Sequence, residues 1–168
     1  MGNCIFLRRG APLSSGPDIF GVVWDYANSA TSLTRLTAAS DPNGYVTQDI
    51  TEEPNAARGT GAGSSPFDNF MPWAGMEEYN IINSAVAYKQ GDTGFSRSDY
   101  DTMVYIPEYY YAVIDDAASS KRYFYVAAEA SEGFEKHPGS GRYVGKYNTT
   151  AGYYSKTGAA PLGGIGRT

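Results

Sequence analysis

The chain has 168 residues, a formal net charge of -5, 20 glycines, 15 tyrosines, one cysteine and one histidine. That length suits one domain, or one domain with an appended arm, and is enough for a real core. One cysteine excludes an internal disulfide framework and a self-sufficient zinc site. The lack of Lys/Arg clusters beyond Arg8-Arg9 and Lys121-Arg122 excludes a nucleic-acid footprint, and no apolar run has the length of a membrane span.

Scarce helix formers beside abundant glycine and tyrosine favour a loop-rich, mostly β architecture, α+β at most. The N-terminus MGNCIFLRRG carries Phe6 where N-myristoylation expects a small hydroxyl, and its apolar piece is too short for a secretory signal. Asn3 to Leu7 reads as a short first strand. Ile19 to Trp24 reads as a buried strand ended by a turn at Asp25, Asn28 and Ser29, with Thr31 to Leu36 as its returning partner. These make residues 1–58 a small N-terminal β unit with Trp24 as its anchor.

Residues 59–66, GTGAGSSP, are a flexible linker by composition and lack the spacing of a dinucleotide fingerprint. Pro66 to Trp73, dense in aromatics and prolines, reads as a fixed irregular segment. Glu77 to Lys89 fits helix and strand equally, with strand preferred for Ala85 to Tyr88.

The stretch from Asp99 to Ala130 holds two tyrosine-rich apolar runs around the turn formers Asp115, Asp116, Ser119 and Ser120. It predicts a central hairpin over 101–128, with Val104 and Ile106 on a buried face. Pro107, which has no N–H, is expected at an edge or bulge. Tyr109, Tyr110 and Tyr111 alternate in direction, so at least one ring looks outward. Arg142 to Tyr147 reads as another strand. The glycine-rich end, Asn148 to Thr168, predicts few contacts for Gly158 to Thr168 and an uncovered apolar surface beside the hairpin, to be met by a partner or by further chain.

Chemistry is hard to find in this sequence. His137 sits in a Pro/Gly turn with no activated nucleophile near it. Gly139 to Tyr147 fails the spacing of a phosphate loop, and the sequon Asn148-Thr149-Thr150 is idle without an export signal. Asp99/Asp101 and Asp115/Asp116 suit turns better than a calcium loop. No catalytic residue, metal ligand or cofactor is therefore expected. Exposed aromatics are the candidates for binding, namely Trp73, Tyr109, Tyr110 and Tyr111.

Several strings together carry a resemblance: FLRRG, GVVWD, SPFDNFMPWAGMEEYNI, DTMVYIPEYYY, KRYFYVAAEASEGFEKHP, GRYVGKYN and SKTGAAPL. The chain resembles tail-associated and receptor-binding proteins of bacteriophages and prophages, mostly of gut Gram-positive bacteria. From the MVYIP strand onward, it is similar to the opening of a C-type-lectin-like module of the formylglycine-generating-enzyme type. The resemblance implies a partial module over 67–168, truncated before the half that carries the remaining strands and variable loops. Cys4 lies outside the matching region, so the catalytic cysteines of those enzymes have no counterpart.

The function implied is that of a non-enzymatic phage tail component, present in the virion and made in the bacterial host cytoplasm. Its expected partners are a host cell-surface glycan or protein and other tail proteins, with homo-oligomerisation, and neither nucleic acid nor a membrane span. A purely structural oligomerisation module and an enzyme remnant are the alternatives.

Overall fold

The computed structural model describes residues 16–28, 33–52, 65–147 and 154–156. The strand expected at Asn3 to Leu7, positions 59–64 of the linker, the sequon and Gly158 to Thr168 lie outside the described residues. The protein is mostly β, with no α-helix among the described residues. Its strands are β1 (Ile19–Asp25), β2 (Thr34–Arg35), β3 (Glu77–Ile82), β4 (Ala85–Lys89), β5 (Asp101–Ile106), β6 (Tyr110–Asp116), β7 (Lys121–Ala127), β8 (Glu135–Lys136) and β9 (Arg142–Gly145). They form two sheets, in the orders β2-β1-β7-β6-β8 and β4-β3-β5-β9. Every pairing is antiparallel.

The central hairpin is β6 and β7, paired from Tyr110↔Ala127 to Asp116↔Lys121. Its turn uses the expected side chains: the Ser119 N–H and hydroxyl both donate to the Asp116 carboxylate, and Arg122 pairs with Asp115 at 2.6 Å. The expected hairpin over 101–128 is corrected at its start. Residues 101–106 are β5, which pairs with β3 and β9 in the other sheet, so Val104 and Ile106 are half-buried there and do not face the hairpin's core. The cause is Pro107, which is buried and has no N–H for a ladder, so the strand ends at it and the chain passes to the second sheet. A Cβ at Gly75 would stand 2.8 Å from the Pro107 ring, so only glycine admits the short helical turn Trp73–Gly75 against this crossing.

The core lies on one face of the five-stranded sheet, where Ile19, Ala112, Tyr123, Tyr125 and Ala127 are buried beneath Leu36 and Val46. Gly21 makes this cover possible. Its Cβ would stand 2.8 Å from Val46 Cγ2 and 3.0 Å from Leu36 Cδ1. On the opposite face, Phe20 meets Phe67, Phe70 and Trp73 edge-on, at 5.5, 5.3 and 4.9 Å between ring centres.

β1, from the segment expected as an N-terminal unit, sits between β2 and β7, so strands from both sides of the Gly/Ser stretch share one sheet. Trp24 is not an anchor of it. The indole lies at the sheet's outer end, 37% exposed, because strand alternation turns it away from the core face.

The ambiguous stretch from Glu77 to Lys89 is a hairpin, β3 and β4, turned at Asn83 and Ser84 with φ of 51° and 65°. Fully buried Asn80 holds the following loop against it, donating to the Ser96 carbonyl at 3.0 Å and accepting the Ser96 N–H at 2.8 Å. Part of the glycine-rich end also docks. Buried Ser155 gives its N–H to Asp101 at 2.6 Å, and its carbonyl accepts the Thr102 N–H at 2.6 Å.

Candidate functional site: a tyrosine face on the four-stranded sheet

Strand alternation places Glu77, Tyr79 and Ile81 of β3 on one face with Asp101, Met103 and Tyr105 of β5 and Tyr143 of β9. The register sets Tyr79 opposite Met103, Glu77 opposite Tyr105 and Tyr105 opposite Tyr143. Three tyrosines from three strands therefore become neighbours. The Tyr143 ring lies 5.5 Å from Tyr79, edge-on, and 5.2 Å from Tyr105, tilted. Tyr143 is 41% exposed on the outer strand, while Tyr79 and Tyr105 are half-buried. Among the described elements, the turn Trp73–Gly75 alone touches this sheet from outside, through β5.

The row has a polar rim. The Tyr79 hydroxyl donates to Glu77 Oε2 at 2.7 Å, and Lys89 Nζ lies 2.5 Å from Glu77 Oε1. The bonds from Lys89 and then Tyr79 hold the Glu77 carboxyl below the usual carboxylate range. In return, the bond to Glu77, with burial, pushes the Tyr79 phenol up to about 12. Near neutrality this rim is a fixed carboxylate and a phenol that keeps its proton. Chemically, the arrangement offers π-faces for an apolar or C–H-rich surface and acceptors for hydroxyl groups beside them. Both Glu77 oxygens are held by neighbours, an arrangement suited to orienting a ligand.

The residues singled out from sequence fall elsewhere. Trp73 is half-buried in its turn, 4.7 Å from Phe67 and edge-on to Phe20. Tyr109 stacks on His137 at 4.6 Å and 17°, and Tyr111 meets the same imidazole edge-on at 5.3 Å. Burial is the larger cause that raises the Tyr109 phenol above its ordinary value. His137 Nδ1 accepts the Gly139 N–H at 3.1 Å, so the ring holds its own turn and packs between tyrosines. Tyr110 points to the opposite face, opposite Ala127 and Lys136. Tyr111, Phe20 and Trp73 thus share one face of the five-stranded sheet, whereas Tyr110 does not join them.

The Tyr79, Tyr105 and Tyr143 row was not singled out from sequence. Each tyrosine sits in an alternating strand, but strands 26 and 38 residues apart become neighbours only through register, which no local spacing records. Among the described residues no group of three His, Cys, Asp or Glu side chains gathers to hold a metal ion, and no helix is long and apolar enough to cross a membrane. No family model, curated protein or solved structure matches the chain.

Proposed function

We propose that this chain is a non-enzymatic attachment module of a phage tail, binding host-surface glycan through the Tyr79, Tyr105 and Tyr143 row. The observation that carries the glycan reading is the row of three touching phenol rings, Tyr143 exposed and Tyr79 and Tyr105 half-buried, beside a held carboxylate. Pyranose rings present C–H faces that stack on tyrosine and hydroxyl edges that seek fixed acceptors, so both halves of the row have a use. The tail setting, with a C-type-lectin-like relationship and other tail proteins as partners, rests on the resemblance of the strings quoted above.

A second reading, a purely structural oligomerisation module, is favoured by a different observation. Trp24, Leu33 just before β2, and Val113 are 37%, 57% and 48% exposed, and Trp24 and Leu33 line an apolar groove with Val22 and Phe124, a surface of the kind that meets another copy.

One experiment separates the two. Purified protein is titrated with host cell-wall glycan fractions while its mass is followed by sedimentation. Attachment predicts saturable binding that Tyr143→Ala weakens by about thirtyfold, the equivalent of about 2 kcal/mol, with unfolding unchanged. Wild-type binding unmoved by Tyr143→Ala overturns the tyrosine row, and a stable oligomer without glycan binding selects the structural reading.

A further inference from the structure

The tyrosine row ends on an open strand edge. β4 and β9 are the outer strands of the four-stranded sheet, and they finish it differently. β4 is guarded: the Lys89 N–H donates to Asp92 Oδ2 at 2.8 Å, the Lys89 side chain is charged, and the ladder to β3 shifts register between Asn80 and Ile81. β9 has no such guard from Tyr143 to Gly145, and all four of its residues are exposed. The outer strands of the other sheet, β2 and β8, are two residues each and too short to template a partner strand.

The direction of the free backbone groups follows from the register. The Lys146 N–H donates to the Thr102 carbonyl at 3.0 Å, which continues the pairing of Val104 with Val144 and of Ile106 with Arg142. Bonded pairs alternate with unbonded ones in an antiparallel ladder, so Arg142 and Val144 direct their N–H and C=O to β5 and Tyr143 turns both outward. No hydrogen bond from the described residues reaches them.

Two-fold symmetry matches this edge to itself. An antiparallel copy with Tyr143 opposite Tyr143 exchanges both N–H···O bonds at that pair. The same register sets Arg142 of each chain opposite the uncharged Val144 of the other, on the face away from the tyrosines. The two Tyr143 rings then become neighbours on the face that already holds Tyr79 and Tyr105, and the rows join across six strands, about 24 Å by five interstrand steps. A four-residue edge buries far less than the roughly 800 Å² per partner of a standard interface, so the pair is weak by itself. A ligand that touches both rows binds the pair better than the single chain and draws the equilibrium toward it.

We propose that a second copy of this chain completes the binding surface by pairing along β9, and that a glycan long enough to lie on both rows assembles the pair. The glycan half of this assignment rests on the glycan reading of the row.

The test is sedimentation of the full chain in a titration with host cell-wall glycan fragments sorted by length. Fragments that cover one row are expected to leave the mass of a single chain, and longer ones to double it and to bind on the order of tenfold more tightly. Val144→Lys sets an ammonium opposite Arg142 of the second copy without touching the tyrosine face, so it is expected to hold short fragments as wild type does and to stay single with long ones. Adding Arg142→Glu turns both like-charged pairs into opposite-charged ones and is expected to restore the doubling. A wild type that stays single with long fragments overturns the proposal. So does a doubling that persists in Val144→Lys, which puts the contact on the Trp24 and Leu33 surface or along the glycan itself. If wild type holds no fragment at all, the glycan reading of the row fails separately. Self-association at millimolar protein that Val144→Lys abolishes and the double variant restores then supports the β9 pair, and its absence overturns it.

Discussion

Asp41 orders a segment whose residues carry little apolar signal. Its side chain is buried and accepts the Tyr125 hydroxyl at 2.6 Å together with the N–H groups of Asn43, Tyr45 and Val46 at 3.0, 2.7 and 2.9 Å. Burial alone raises a carboxyl, but these four donors outweigh it and hold Asp41 below its ordinary value of 3.8. The same contact, with burial first among the causes, pushes the Tyr125 phenol up. A depressed carboxyl contributes stability that is complete above the unfolded value and is lost as pH falls through the folded one. Wild type is therefore expected to lose stability below about pH 4, where Asp41→Asn has no such loss to suffer. At neutral pH that variant turns an amide NH2 toward two backbone donors and is expected to be less stable by about 2–3 kcal/mol. Urea unfolding of both proteins at neutral and acid pH checks the sign and the size.

Individual elements follow local chemistry closely. The β6–β7 turn forms where aspartate and serine side chains bond back to the backbone, and it closes with Ser120 at a φ of 55°. Serine is strained in that conformation and glycine is not, so Ser120→Gly is expected to stabilise the protein by about 0.5–1 kcal/mol, read as a higher melting temperature. A fall in stability would mean that the Ser120 side chain has a role beyond its backbone. Pro107 acts in the opposite sense, ending one strand so that the next joins another sheet. The tyrosines after it then divide, Tyr109 and Tyr111 around His137 and Tyr110 on the other side.

At the scale of the molecule, the chain visits its two sheets in turn: β1 and β2, then β3 to β5, then back for β6 to β8, and finally across for β9. A fragment of residues 67–168 lacks β1, which leaves one edge of β7 without its ladder and removes Phe20 from Phe67, Phe70 and Trp73. It is expected to lose the sharp cooperative unfolding of the whole chain, as followed by circular dichroism. A fragment that unfolds as sharply as the parent would show that the module is self-sufficient. Pro66 to Trp73, expected as irregular, instead opens in a 3-10 helical turn over Pro66–Asn69 capped by Ser65. The sequence by itself determined the β class, the β6–β7 hairpin and its turn, the β1 strand and the strand character of Ala85 to Tyr88. Each of these depends on propensities and side-chain bonds acting within a few residues. Only the tertiary structure decided that β5 leaves the hairpin, that Leu36 and Val46 roof the core, and that Tyr79, Tyr105 and Tyr143 touch. Those facts depend on which distant strands pair and in what register, and a shift of one residue would send every ring to the other face.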